Sequence, residues 1–388
     1  MHPASEFLLT LGGILLVGLA TDAIGRRTFL PRVTLLLLFG TLIGKEMLDL
    51  IPQVFTDRFE IIANMALLMV GFLLGGKLTA DFLQRTASRT LWISVSTAVV
   101  TTVVVTFILM AVGISTNIAI LLGCIASATA PAATMDIVLE SGCKGPFSEL
   151  LLSIVALDDV WGLILFSLGI ALVSILAGSG DHIMQLYVAL WDIGGALILG
   201  AVLGFPAAYL TGRIRTGQPM LMEALGLVFL CGGIAIWLDV SFLIASIVMG
   251  AVVTNFARHH EYPFHEIENV EWPFMTIFFV LAGASLDLGM IREIGLIGAA
   301  YIGSRIIGKL LGARIGAQIC RADTVTRCWM GFALLPQAGV AMGMALVASN
   351  RFPEYQQVLL TVVISSTIFF EIIGPVFTRT ALRRAGGD

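Results

Sequence analysis

Apolar runs long enough to cross a bilayer follow one another along nearly the whole chain, and this pattern constrains the fold more than any single motif. A hydrocarbon core of roughly 30 Å takes about 20 apolar residues in helical form. Cutting the sequence at its charged and Gly/Pro-containing breaks gives thirteen such segments: 7–23, 33–51, 59–76, 90–112, 118–141, 148–177, 186–212, 220–238, 242–255, 272–286, 293–319, 327–348 and 354–382. Across 388 residues this leaves no room for a large soluble domain. The composition agrees, with 58% apolar and 12% charged residues and a mean hydropathy of +0.97. Backbone polar groups in lipid must be satisfied within a segment or a closed barrel. The predicted fold class is therefore an all-α polytopic membrane protein with 13 transmembrane helices.

The distribution of Lys and Arg supports this division. Sixteen of the 22 fall on the side reached at the ends of odd-numbered segments, the C-terminus included, and four (Lys45, Arg58, Arg292 and Arg351) on the side reached at the ends of even-numbered ones. The positive-inside rule then places the N-terminus outside and the C-terminus in the cytoplasm. Glu6, with no Lys or Arg before the first run, argues for a retained first helix rather than a cleaved signal. The five cysteines are scattered and form no CxxC pair, so neither a disulfide framework nor a zinc site is expected. A net charge of -4 excludes a strongly basic nucleic-acid binder.

Two segments carry an internal break. The fifth contains Ala128-Thr129-Ala130-Pro131-Ala132-Ala133-Thr134, and the twelfth contains Leu335-Pro336-Gln337-Ala338-Gly339. Proline lacks an N–H and clashes with the preceding turn, so each helix should unwind or kink there. The breaks are seven segments apart, and an odd separation makes them run through the membrane in opposite directions. This predicts two inverted repeats of six helices, segments 1–6 and 8–13, joined by segment 7 as a linker. Unwound backbone at membrane depth survives only beside a cavity or buried in protein. The breaks therefore mark a candidate site.

The sixth segment places Asp158 and Asp159 side by side in an apolar run. At 1.5 Å per residue, Asp158 lies roughly 15 Å below Ser148, near the bilayer midplane. A carboxylate there costs about 2.5–3.5 kcal/mol on insertion scales, and a second beside it adds repulsion. Such a pair lets a proton and a cation compete for one site. Adjacent helical positions diverge by about 100°, so one carboxylate can hold an ion while the other holds a partner. Arg305 and Lys309 share a face of the eleventh segment at i, i+4, and either can be that partner. Lys309 is the better switch, because an ammonium gives up its proton more readily than a guanidinium.

Thr129 and Thr134 offer hydroxyl oxygens at the first break, and the exposed carbonyls around Ala130, Pro131, Pro336 and Gln337 are expected to coordinate the cation. Asp136 and Glu140 are read as either an access funnel or a solvated helix end. Glu371 is read as a brace of the packed core, with direct ion contact as the alternative. The charged stretch from Arg258 to Glu266 is predicted to be a loop, whose histidines titrate near neutral pH. No cofactor is implied beyond the transported Na⁺, Li⁺ or K⁺ and protons. An intramembrane aspartyl protease would place its two aspartates on different helices with one in a GxGD motif, whereas Asp158 and Asp159 are adjacent on one segment, neither is part of such a motif, and the GxGD string at Gly178–Asp181 falls between segments. The chain is thus read as a transporter rather than an enzyme, with a channel as a remaining alternative.

These residues together resemble the NapA-type cation:proton antiporters, in the superfamily that also includes the NhaA-type and KefC-type transporters. The resemblance covers nearly the whole chain. It rests on the thirteen helices, Leu157-Asp158-Asp159-Val160, Thr129-Ala130-Pro131-Ala132, Gly308-Lys309-Leu310-Leu311-Gly312 and Leu335-Pro336-Gln337-Ala338-Gly339. It implies an NhaA-like fold in a homodimer, located in a bacterial plasma membrane. Residues 1–85 and 218–290 would form a dimerisation domain, 90–178 and 292–388 a moving core, and 186–213 the linker. It further implies that Asp159 is the principal ion and proton carrier and that Asp158 pairs with Lys309. A double aspartate with this lysine is the electrogenic pattern, whereas electroneutral relatives commonly have Asn in the first position. Ala130 stands where several sodium-selective relatives have Asp, which keeps K⁺/H⁺ exchange as an alternative. Few residues follow the last helix, so the nucleotide-binding domain of KefC-type members is not expected.

Overall fold

The structure is a computed structural model that describes residues 3–25, 32–45, 47–52, 55, 59–79, 88–141, 145–177, 182–211, 220–257, 261–286, 288–337 and 339–386. Among these residues there are fifteen α-helices and no strand. They are α1 (Pro3–Gly25), α2 (Arg32–Ile43), α3 (Phe59–Gly76), α4 (Ser88–Ala111), α5 (Thr116–Ala126), α6 (Pro131–Ser141), α7 (Pro146–Ala177) and α8 (His182–Thr211). The remainder are α9 (Met220–Trp237), α10 (Phe242–Phe256), α11 (Glu261–Ala284), α12 (Leu288–Ile319), α13 (Thr324–Ala333), α14 (Gly339–Arg351) and α15 (Gln356–Gly386). A 3-10 turn, Pro353–Tyr355, precedes α15. Six of the helices (α3, α4, α7, α8, α12 and α15) are long and apolar enough to cross a membrane.

Both predicted breaks are present. The fifth segment divides into α5 and α6 around residues 127–130, and the twelfth into α13 and α14 around 334–337. Ala338 lies outside the described residues. Pro131 opens α6 at the first helical position, where its missing N–H costs nothing. Asp323 caps α13, accepting from the Thr326 N–H at 3.0 Å and from its hydroxyl at 2.6 Å. Partial burial pushes this carboxyl up, but those hydrogen bonds outweigh it and hold Asp323 below its ordinary value.

Two predicted boundaries need correction. The second segment, predicted to reach residue 51, is helical only to Ile43. The carbonyls of Leu42, Ile43 and Gly44 accept from the N–H groups of Leu48, Leu50 and Asp49, and Asp49 takes a positive φ of 47°. A hydrogen-bonded turn thus ends the helix inside an apolar run that hydropathy cannot divide. The tenth segment begins at Glu261 rather than 272, so residues 261–266 are helical and not loop. Phe264 stacks on Phe72 at 4.6 Å and Ile267 is fully buried, which gives this charged stretch an apolar face to pack. His265 lies on that helix, 3.9 Å from Glu268, while His259 and His260 lie outside the described residues.

The chain forms two compact units. The second, Ala63–Thr86 with Ser167–Phe274, is built on a core including Met69, Phe72, Val228, Cys231 and Met249. The first comprises Met1–Ile62, Ala87–Phe166 and Met275–Asp388. Its core includes Ile93, Leu151, Ile154, Ala313, Ala333 and Leu334. There α12 lies directly on α4 along Gly308, Gly312 and Gly316, three glycines one turn apart. A Cβ at these positions would stand 2.8, 2.7 and 2.6 Å from the Cα atoms of Thr101, Thr97 and Ile93. Small residues at this spacing let helix backbones touch, which is how helices associate where lipid removes the hydrophobic drive. Ser96 donates to the Gly312 carbonyl at 2.9 Å across the same contact. This contact fixes the axis from which Arg305 and Lys309 project.

Candidate functional site

Asp158 and Asp159 lie in the middle of α7, with 0% and 1% exposure. Charges so deep require partners. For Asp158 the partner is Lys309, itself fully buried, with its Nζ 2.6 Å from Oδ2. The same ammonium donates to the Ser127 carbonyl at 2.6 Å and to Thr129 Oγ1 at 2.7 Å, so all three of its protons are used. Thr129 in turn donates to Asp158 Oδ2, closing a lysine–threonine–aspartate triangle at the first break. The other oxygen, Asp158 Oδ1, is buried and accepts no hydrogen bond among the described residues. Trp161 Nε1 donates to Ser94 at 3.2 Å, which fixes α7 against α4 just beyond the carboxylates.

The sequence left open whether Arg305 or Lys309 meets Asp158, and the geometry separates them. Arg305 donates to backbone oxygens at both breaks: Ala126 at 3.0 Å, Ala128 at 2.8 Å, Leu335 at 2.7 Å and Pro336 at 3.5 Å. Its guanidinium also lies over the Phe370 ring, 4.3 Å from the centroid. Half-helices α5 and α13 both end here, each leaving unpaired carbonyls and a partial negative charge. Arg305 satisfies both ends at once. The breaks also meet directly, the Ala130 N–H donating to the Pro336 carbonyl at 3.0 Å.

The remaining predicted residues divide clearly. Thr134 and Gln337 are fully buried near the breaks, and Thr134 Oγ1 has no hydrogen-bond partner among the described residues. Gln337 donates to the Tyr301 hydroxyl at 3.1 Å. Glu371, on α15, is 2% exposed and accepts from the Thr34 hydroxyl of α2 at 3.4 Å, the geometry of a brace. One turn beyond it, Gly374 meets Pro336: a Cβ there would stand 2.8 Å from the proline Cα. The side chains of Asp136 and Glu140 lie outside the described residues.

The carbonyls of Ala126, Ala128, Leu335 and Pro336 accept from Arg305, and that of Ser127 accepts from Lys309, so both basic residues are held on the backbone of the breaks. Two contributors escaped the sequence reading, Tyr301 and Phe370. Tyr301 had a usable signal, since 301, 305 and 309 repeat at i, i+4 and so share one face of α12. Phe370 had none, as one aromatic in an apolar helix resembles any other.

Comparison with known proteins identifies the family and the fold. Residues 11–384 match the family described as sodium/hydrogen exchanger, transmembrane. The "Ammonium/H(+) antiporter subunit AmhT" of Alkalihalophilus pseudofirmus is 23% identical over 316 residues, covering 79% of this chain and 78% of that protein. The fold matches the structure of the sodium proton antiporter MjNhaP1 from Methanocaldococcus jannaschii at pH 8 with a TM-score of 0.82 and 18% identity, over 99% of this chain and 100% of the other. A second structure of MjNhaP1, from electron microscopy, matches with a TM-score of 0.74 at 18% identity, over 100% of this chain and 99% of the other. The chain therefore belongs to the sodium/hydrogen exchanger family, and is a membrane transporter exchanging cations for protons rather than an enzyme.

Proposed function

We propose that this chain is an electrogenic, NapA-type antiporter in which Asp159 carries the ion and the exchanged proton while Lys309 alternates between pairing with Asp158 and releasing it. The observation that carries this reading is the buried Lys309–Asp158 pair, next in sequence to a second buried carboxylate and held by the first break. Loading a cation on the aspartates weakens the hold of Asp158 on the ammonium, and a lysine desolvated in this way can lose its proton. Two protons then leave for each cation bound.

The full reading includes thirteen spans in inverted repeats, an outside N-terminus, a homodimer and a core of 90–178 and 292–388 that moves past the dimerisation domain. Na⁺ or Li⁺ is the favoured cation. The chemistry printed in the name of the AmhT relative adds ammonium to K⁺ among the alternatives. Reconstitution in proteoliposomes with an internal pH dye tests the proposal. Addition of Na⁺, Li⁺ or K⁺ should drive proton movement in the wild type and none in Asp159→Asn. Full exchange by that variant would remove Asp159 as carrier, and cation flux without proton movement would instead indicate a channel.

A further inference from the structure

The carbonyls of an unwound membrane segment are the usual means of stripping water from a cation, and here two buried basic residues bond five of them. Arg305 bonds those of Ala126, Ala128, Leu335 and Pro336, and Lys309 bonds that of Ser127. Each oxygen has a second lone pair. A metal ion using it would nevertheless stand a few ångströms from a permanent positive charge, and at 4 Å two unit charges repel by about 4 kcal/mol even at an effective dielectric of 20. Asp158 Oδ1 differs in belonging to a carboxylate whose own negative charge offsets the Lys309 ammonium held on Oδ2, and it is buried and without a hydrogen bond among the described residues. Arg305 is also held firmly, fully buried with an aromatic ring beneath it. It behaves as a tethered cation already seated in the carbonyl ring.

We propose that Arg305 determines the ion selectivity of this transporter: by filling carbonyls at both breaks, it restricts the transported cation to the carboxylate oxygens of Asp158 and Asp159, the buried Thr134 hydroxyl and water. This rests on the reading above that the aspartate pair carries the ion. Discrimination by size comes from the number and rigidity of the ligands. Two carboxylates completed by a hydroxyl and mobile water adjust to ions of different radius, so Li⁺, Na⁺ and K⁺ are all accepted. Arg305 is a positioning residue in this scheme and touches no ion.

The test is the apparent KM for Li⁺, Na⁺ and K⁺ at one pH in proteoliposomes, a ratio that general loss of stability does not move. Wild type should hold the three within about tenfold. Arg305→Gln opens the ring and should widen the spread by a further factor of about ten, in favour of the smaller ions. A wild type that already separates Na⁺ from K⁺ by about a hundredfold overturns the proposal and requires no variant to fold. An active Arg305→Gln with unchanged ratios overturns it equally. Should that variant not fold, Arg305→Lys, whose point charge reaches fewer of the carbonyls, must widen the ratio, and unchanged ratios there are decisive against it. The underlying assignment is separable: if Asp159→Asn still exchanges, the carrier is wrong, whereas an inactive Asp159→Asn with the wrong ratios refutes only the role of Arg305.

Discussion

Asp158 and Asp159 are neighbours on one helix, and their difference arises from what surrounds each. Asp158 Oδ2 receives both the Lys309 ammonium and the Thr129 hydroxyl. Removing one member of such a buried pair leaves an uncompensated charge, at a cost of about 3–5 kcal/mol, whereas removing both is often nearly neutral. Lys309→Gln alone should therefore destabilise the protein strongly, and adding Asp158→Asn should restore most of the loss. Thermal unfolding in detergent across the four members of this double-mutant cycle measures the coupling. Additive losses in the two single variants would show that Lys309 and Asp158 do not depend on each other. The same comparison with Arg305→Gln and Asp158→Asn should show a smaller coupling, because Arg305 bonds carbonyls and reaches Asp158 only through its charge.

At the scale of elements, α12 carries both basic residues, and its seat on α4 sets their position. An added methyl at Gly312 would stand 2.7 Å from the Thr97 Cα, while one at Gly303, on the same helix, would meet nothing within 4 Å. Alanine is favoured over glycine in a helix interior by about 1 kcal/mol. Gly303→Ala should consequently be neutral or mildly stabilising, and Gly312→Ala destabilising, because two backbones must separate. Unfolding temperatures and exchange rates of the two variants check this directly. Equal behaviour would mean that the α4–α12 contact does not hold the site.

The elements also reveal what could be read from sequence. Both breaks were legible because Pro131 and Pro336 impose a local backbone rule, and the acidic pair was legible because membrane depth makes a carboxylate costly. The end of α2 was not, since Gly44 and the left-handed Asp49 terminate it within an unbroken apolar run. The start of α11 was hidden because its charged residues resemble a loop until Phe264 and Ile267 find their packing partners. The carbonyl partners of Arg305 were beyond reach for a different reason. Every residue has a carbonyl, so which ones a buried guanidinium binds depends on tertiary contact alone.

For the molecule as a whole, the charge carried per cycle follows from how the buried charges are divided. Arg305 faces carbonyls in both broken segments and has no proton to exchange, so it travels as a constant. Lys309 with Asp158 is neutral when paired, and in the proposed cycle Asp159 is either protonated or bound to the cation. If cation binding displaces one proton from Asp159 and one from Lys309, two positive charges move against one, and each cycle carries a net charge. A membrane potential then drives exchange in addition to the ion gradients, contributing about 2.3 kcal/mol per charge at 100 mV. This corresponds to about fiftyfold in the cation ratio reached at equilibrium. In proteoliposomes with a valinomycin-set potential and Na⁺ or Li⁺ as the exchanged ion, the wild type should shift its final cation ratio with voltage. The Asp158→Asn, Lys309→Gln double variant keeps Asp159 but lacks the second proton, so any exchange it retains should ignore the potential. A voltage-independent wild type would make the exchange one for one, with the lysine serving only to neutralise Asp158.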